Sequence, residues 1–366
     1  MVTDSSQTII YLGLIFFNWL QPMKGVSLPG NREVHVEEWN TQDLRDHEVR
    51  IDIGAAALCR SDMSLYYGDP LVGKKEAGKV IPGHESAGTI SEVGDDVTHL
   101  DVGDRVAINC FAGCNHCEFC HRGEPNLCPD VDILGFDRHG GKAEEVVTPA
   151  TTCHPMPDEM SMATGAIATD QLGNLYSTMK ECNVDGSDTV GVVGLGPMGL
   201  SAVVNADAMG ATVVAFDLVD RRREKAIELG ADHDIDPVED DPQAIVDEIS
   251  NGRGLDVVVD CSAAQAGITM AFELVKKHGI VAQIGETDEI TINPSDHLIH
   301  KKVTYIGSWS FKTWEWPEIS DFIIDKIGND RAEEIISHRY PLEEDLVNEA
   351  FEKFDNRETQ KVIFTP

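Results

Sequence analysis

Apolar and polar residues alternate in two different textures along this chain. From Met23 to about Leu175, short apolar runs are broken by Gly, Pro and Asp, as in VRIDIGAAAL (49–58), AGTISEVG (87–94) and DRVAINC (104–110). Such punctuation predicts an all-β, partly open, barrel-like domain. Residues 161–182 turn helical, with Met162, Ile167, Leu172 and Leu175 near helical spacing. At Thr189 the texture changes: TVGVVGLG is an unbroken apolar run, as a strand buried on both faces requires. A helix is expected from about Met198 to Met209, followed by the strand TVVAFDL (212–218) and the helix RRREKAIELG. LDVVVDCS (255–262) reads as a strand, ITMAFELVKK as a helix, and GIVAQIG (279–285) and KVTYIGSW (302–309) as later strands. Strands alternating with helices imply a doubly wound parallel sheet, an α/β architecture. After about Ser310 the chain runs helix, then strand, to QKVIFTP, and this segment is expected to return to the β-rich part.

The chain of 366 residues is therefore divided into a β-rich domain of residues 23–175 and 310–366 and a parallel-sheet domain of 176–309. The first 22 residues stand apart. Their run IIYLGLIFFNWL (9–20) is short for a membrane span. No basic residue precedes it and no small-residue cleavage site follows. It reads as an upstream start outside the native fold, with an oligomer-contact arm or a membrane anchor as alternatives.

Charge narrows the partners. Asp and Glu number 64 against 29 Lys and Arg, a formal net charge of −35. Such a surface repels phosphate backbones and anionic membranes, which argues against both as partners. The acids are spread through every segment, which points to a halophilic protein of a salt-rich cytoplasm rather than to an acidic tail. Of nine cysteines, Cys114, Cys117, Cys120 and Cys128 crowd into fifteen residues. That is metal-ligand spacing, not a disulfide framework, and it implies a reducing compartment.

Three constellations carry chemistry. Gly194, Leu195, Gly196, Pro197, Met198 and Gly199 follow a strand and open a helix. Glycines there allow a tight turn, close approach of a pyrophosphate and close helix packing, with the helix N-terminus facing the phosphates. Asp217 ends the next strand, where an acid binds ribose hydroxyls and repels the 2′-phosphate of NADP, so NAD is the expected cofactor. Arg221, Arg222 and Arg223 keep NADP open as the alternative, unless they are solvated charges opening a helix. The four cysteines would close a tetrahedral zinc site with no open position, a structural role. A nucleic-acid-binding zinc knuckle and an iron–sulfur cluster use similar ligands, and the charge argues against the first. Cys110 is left out of the set by its spacing. Finally, Cys59-Arg60-Ser61-Asp62 and Gly83-His84-Glu85 supply a thiolate, an imidazole and carboxylates, the ligand types of a catalytic zinc with an open position. Singly, each piece reads as a buried cysteine or a satisfied histidine.

The order CRSD, GHE, four-cysteine loop and GLGPMG resembles the zinc-containing medium-chain alcohol dehydrogenases over about residues 23–366. Asp170-Gln171-Leu172-Gly173-Asn174 is similar to the Glu-Pro-Leu-Gly-Asn-like stretch of the sorbitol, threonine and butanediol dehydrogenase branch. The resemblance implies a GroES-like catalytic domain joined to a Rossmann domain, and Cys59 and His84 as catalytic zinc ligands. Asp170 stands where that branch has a ligating glutamate. It is one methylene shorter, so Glu85 is the alternative ligand. Asp62 would fix the His84 tautomer, Ser61 would pass the substrate proton, and Ser64 replaces a relay histidine of many relatives. Arg60 and Lys361 resemble pyrophosphate-binding positions, and Arg222 is taken as a cofactor contact. The implied reaction moves a hydride between a small alcohol, polyol or sugar and NAD, in a homo-oligomer (dimer or tetramer). An aldose or L-threonine dehydrogenase of the same fold is the nearest alternative. A non-enzymatic nucleotide sensor would be expected to lose Cys59, Ser61 and His84 while keeping the glycines.

Overall fold

The computed structural model describes residues 22–69, 73 and 77–366, so the apolar run at 9–20 lies outside the described residues. Two large sheets organise the chain. The first has six strands in the order His233–Ile235, Thr212–Phe216, Thr189–Val193, Leu255–Asp260, Val275–Gln283 and Thr304–Gly307. Every neighbouring pair is parallel. Counted along the chain, that is the 3-2-1-4-5-6 order of a Rossmann sheet, with its switch point between Thr189–Val193 and Leu255–Asp260. Alternate residues feed two cores. Val190, Val192, Val213, Ala215, Val257 and Val259 join one, and Val193, Val214, Phe216 and Val258 the other. Both faces are thus covered, which is why these strands read as unbroken apolar runs.

The second sheet has seven strands, with Ile336–Pro341, Lys361–Thr365, Glu48–Leu58, Ser86–Val93, Arg105–Ile108 and Cys153–Pro155 in order, and Glu145–Pro149 also on Glu48–Leu58. The last strand of the chain lies antiparallel to Glu48–Leu58, with Val362 opposite Leu58. The C-terminal segment therefore completes the β-rich sheet. Among the described residues no helix is long and apolar enough to cross a membrane.

Three elements differ from their expected form. The helix expected over 161–182 is divided into Met162–Ile167, a π-turn at Ala168–Leu172, and Gly173–Glu181. One wide turn of this kind re-aims the side chains it carries. The helix expected through Lys277 ends at Leu274, because Val275 turns extended (φ −66°, ψ 138°) and pairs with Leu255. Lys276 and Lys277 consequently lie in a strand. The helix after the glycine loop begins at Pro197, which fits the first helical position because its missing N–H is not needed there.

Candidate active site

Register brings the scattered pieces together. Ala56 pairs with Ser86 between two antiparallel strands, so Cys59, just past one strand, lies beside His84 and Glu85, just before the other. The Ala57 amide donates to the Glu85 carbonyl at 2.8 Å. Asp170 arrives from the π-turn. Ligand atoms of Cys59, His84, Glu85 and Asp170 all lie within 4.8 Å of one another. Cys59 Sγ is 4.0 Å from Asp170 Oδ2 and 3.5 Å from Ser61 Oγ.

Behind His84 stands Asp62, fully buried. Its Oδ1 faces His84 Nδ1 at 3.5 Å, which leaves Nε2 toward the donor cluster. Its Oδ2 accepts from the Cys59 amide at 2.8 Å and from Lys142 Nζ at 2.7 Å. Burial opposes ionisation of Asp62, but the charges of Lys142 and His84 outweigh it and hold the carboxyl far below the usual range. Glu85 is likewise buried and held low against its desolvation by Lys361, whose Nζ donates to Oε1 at 2.6 Å. Asp170 goes the other way. Burial first, then the Glu85 charge, pushes its carboxyl up to about 7. His84 is raised well above its ordinary value, because the Asp62 charge overcomes burial. A carboxylate held low beside one pushed up is a pattern found at functional sites.

Other expected residues fall as follows. Ser64 is buried, and its hydroxyl donates to the Ser61 carbonyl at 2.7 Å rather than to the Ser61 side chain. Arg60 is exposed. Lys361, expected at a pyrophosphate, is buried against Glu85. Phe136 packs on His84 with ring centres 5.5 Å apart, whereas Tyr66 buries against Phe351. Lys142 was not anticipated at all. A lone lysine has no motif, although its place just after Gly140-Gly141 marks a tight passage.

The four cysteines Cys114, Cys117, Cys120 and Cys128 also converge within 4.8 Å, and Cys110 is not among them. Gly113 lets them close, since a Cβ there would come within 2.6 Å of Cys120 Sγ. The Cys120 amide helps pull the Cys117 thiol down to about 7. Burial, with the charge of Asp170, pushes Cys110 well above the usual range, so it stays a neutral thiol.

At the dinucleotide loop, Gly194 has φ +86°, and a Cβ would sit 2.7 Å from Ser262 Cα. A Cβ on Gly199 would strike the Gly194 carbonyl, whereas one on Gly196 meets nothing within 4 Å. The space beside Gly196, at the N-terminus of the helix that Pro197 opens, is thus free for a ligand. Asp217, one residue beyond its strand, accepts from the Leu195 amide at 2.7 Å and the Val219 amide at 2.9 Å. Arg222 Nη1 is 3.5 Å from Asp217, and its buried Nε has no partner. Arg221 instead binds the carbonyls of Arg357 and Glu358, and Arg223 pairs with Asp220, Asp234 and Asp236. Of the three, Arg222 alone approaches the Asp217 carboxylate, while Arg223 donates to the Asp217 backbone carbonyl at 2.7 Å.

Residues 45–158 match the alcohol dehydrogenase GroES-like domain family, and residues 197–325 match the zinc-binding dehydrogenase family. The chain is 32% identical to sorbitol dehydrogenase from Halalkalibacterium halodurans, over 87% of this chain and 92% of that protein. It is 30% identical to D-arabitol-phosphate dehydrogenase from Enterococcus avium, over 90% and 94% of the two chains. Among solved structures, 2R,3R-butanediol dehydrogenase from Bacillus subtilis superposes with a TM-score of 0.84 at 27% identity, covering 94% of this chain and 99% of that one.

Proposed function

The chain belongs to the zinc-type alcohol dehydrogenases, and on that premise we propose that it is a zinc-dependent enzyme oxidising a small polyol with NAD as hydride acceptor. The observation that carries this reading is the charge balance of the donor cluster. With Asp62 behind it, the cluster of Cys59, His84, Glu85 and Asp170 brings four negative charges when its thiol and carboxyls are ionised and its imidazole is neutral, and Lys142 and Lys361 return two positive ones. The remaining two negative charges match a divalent cation. One thiolate, one imidazole and carboxylate oxygens suit zinc.

A bound zinc supplies Lewis acidity that lowers the pKa of a hydroxyl presented to it. The protein does the rest. Cys59, His84 and Asp170 hold the metal, while Glu85 stays engaged with Lys361. Asp62 keeps the proton of His84 on Nδ1, so that Nε2 is free to ligate. Ser61, whose Oγ lies 3.5 Å from Cys59 Sγ, takes the substrate proton. Gly194, Gly196, Pro197, Met198 and Gly199 receive the pyrophosphate, and Asp217 with Arg222 receives the adenosine ribose. The Cys114, Cys117, Cys120 and Cys128 set holds a second, structural zinc.

A dehydrogenase screen over polyols, simple alcohols, sugars and threonine, with NAD and NADP in molar salt, tests the substrate class. Polyol turnover with two zinc ions per chain is expected. Cys59→Ala should lose one zinc and all turnover while NAD binding persists. Full activity in a Cys59→Ala protein lacking that zinc would overturn the mechanism.

A further inference from the structure

Lys142 is a fully buried lysine beside the donor cluster and outside its set of donor atoms. Its exposure is 0%, as is that of its partner Asp62. Burying an ion pair gains little stability over an apolar pair of the same shape, so its retention asks for another reason. The backbone shows how it is placed. Gly140, Gly141 and Lys142 thread under the turn that carries His84: their amides donate to Ile81, Gly83 and Pro82 carbonyls at 2.8, 2.8 and 3.0 Å. Gly83 has φ +108°, and a Cβ there would lie 2.7 Å from the Lys142 nitrogen and 2.8 Å from its Cγ. The residue before His84 is therefore bare where the Lys142 stem passes. At the end of that stem, the ammonium shares Asp62 Oδ2 with the Cys59 amide, at 2.7 and 2.8 Å. Two donors on one oxygen fix the carboxylate plane. The other oxygen, Oδ1, thereby faces His84 Nδ1 at 3.5 Å, an ion-pair contact slightly longer than a hydrogen bond, and neither atom has another partner among the described residues.

We propose that Lys142 is a positioning residue of the metal site, which orients the His84 imidazole through Asp62. The inference rests on the zinc reading of Cys59, His84 and Asp170 given above. Its sign separates it from a simple countercharge. Coulomb's law alone says that removing a positive charge near a divalent cation tightens binding. Positioning says the opposite, because a carboxylate free to rotate no longer fixes the imidazole. Loss of such outer partners weakens metal binding by roughly 10–100-fold.

The test uses full-length protein and Zn2+ alone, titrated against a competing chelator. The wild type should bind two equivalents; a single equivalent, held at the four cysteines, would remove the zinc reading and this inference with it. With two bound, Lys142→Met should weaken only the second equivalent, roughly 10–100-fold, leaving the four-cysteine zinc and NAD affinity as they were. Cobalt(II) at that site should show altered visible bands. Asp62→Asn should weaken it similarly, and the double variant should be no weaker than Asp62→Asn, since both act through one carboxylate. Unchanged or tighter binding in Lys142→Met overturns the proposal, as does a double variant that loses the product of the two effects. Should Lys142→Met fail to fold, the double variant is compared with Asp62→Asn: equal affinity supports the proposal and a further drop overturns it.

Discussion

Replacing Cys117 with Ala should release one zinc and, with it, the segment that follows the parallel sheet. The four-cysteine lobe has almost no core of its own: its helices are Glu118–His121 and Pro125–Leu127, and its strands are Phe111–Ala112 and Asp132–Ile133. Metal ligation must hold it, as in small zinc modules. The lobe in turn holds residues 309–314. Asn126 Nδ2 donates to the Trp309 carbonyl at 2.8 Å, Trp314 Nε1 to the Arg122 carbonyl at 3.0 Å, and the Thr313 amide to the Gly123 carbonyl at 2.8 Å. Phe111 and Trp309 meet edge to face at 5.1 Å. Three hydrogen bonds at about 1 kcal/mol and one aromatic pair at about 1 kcal/mol give a coupling of about 4 kcal/mol. A loss of this size exceeds a quarter of the stability of most domains. Two of the five tryptophans sit on this contact and report it directly. The assay is metal content, tryptophan emission and urea denaturation of wild type and Cys117→Ala. Expected are one zinc fewer, red-shifted emission, and a lower midpoint. A variant that has lost a zinc yet keeps its emission and midpoint would refute the clamp.

Other outcomes follow from the charges. Asp217→Ser should raise kcat/KM for NADP at least about tenfold, because a like-charge contact costing several kcal/mol is removed beside Arg222; an unchanged NADP:NAD ratio would sink that reading. Zinc affinity of the second site should fall as pH drops below about 7, the point to which burial and Glu85 push Asp170. In metal-free protein the raised Asp170 acts with the opposite sign, its stabilisation complete below the unfolded carboxylate range and lost as pH rises through about 7. Chelator competition across that range in wild type and Asp170→Asn checks both roles, and identical pH profiles would exclude Asp170 as a ligand. Finally, at net charge −35 the melting temperature should rise from low to molar KCl, as the screening length shrinks from about 10 Å to about 3 Å. A flat or falling trend contradicts the halophilic reading.

How legible these features were depended on whether their physics is local. Strands buried on both faces write themselves as apolar runs, so Val190, Val213 and Val257 were readable one segment at a time. The glycines of the dinucleotide loop and the four cysteines are likewise confined to short stretches. Helix ends were less legible, because Val275 left its helix to pair with Leu255, a partner that no window of sequence contains. Cys59, His84 and Asp170 are separated by 25 to 111 positions, and only strand register and a π-turn unite them. Their grouping came from family resemblance; periodicity alone could not supply it.

The burial of the two lysines was illegible for a further reason. A lone lysine is ordinarily a solvated charge, and apart from the glycine pair before Lys142 nothing adjacent in sequence marks either residue as an exception. Their places bear on how the carboxylates would divide their work. Lys361 donates to Glu85 at 2.6 Å, so part of the Glu85 carboxylate is already engaged by a buried cation. Asp170 is paired with no lysine among the described residues, and burial and the Glu85 charge together raise its carboxyl to about 7. Its shorter side chain is offset by the backbone, because the π-turn carries the residue to within 4.0 Å of Cys59 Sγ. The missing methylene that sets Asp170 apart in the sequence is thus answered by a backbone feature that the sequence does not announce, which supports the proposal of Asp170 as the third protein donor beside Cys59 and His84.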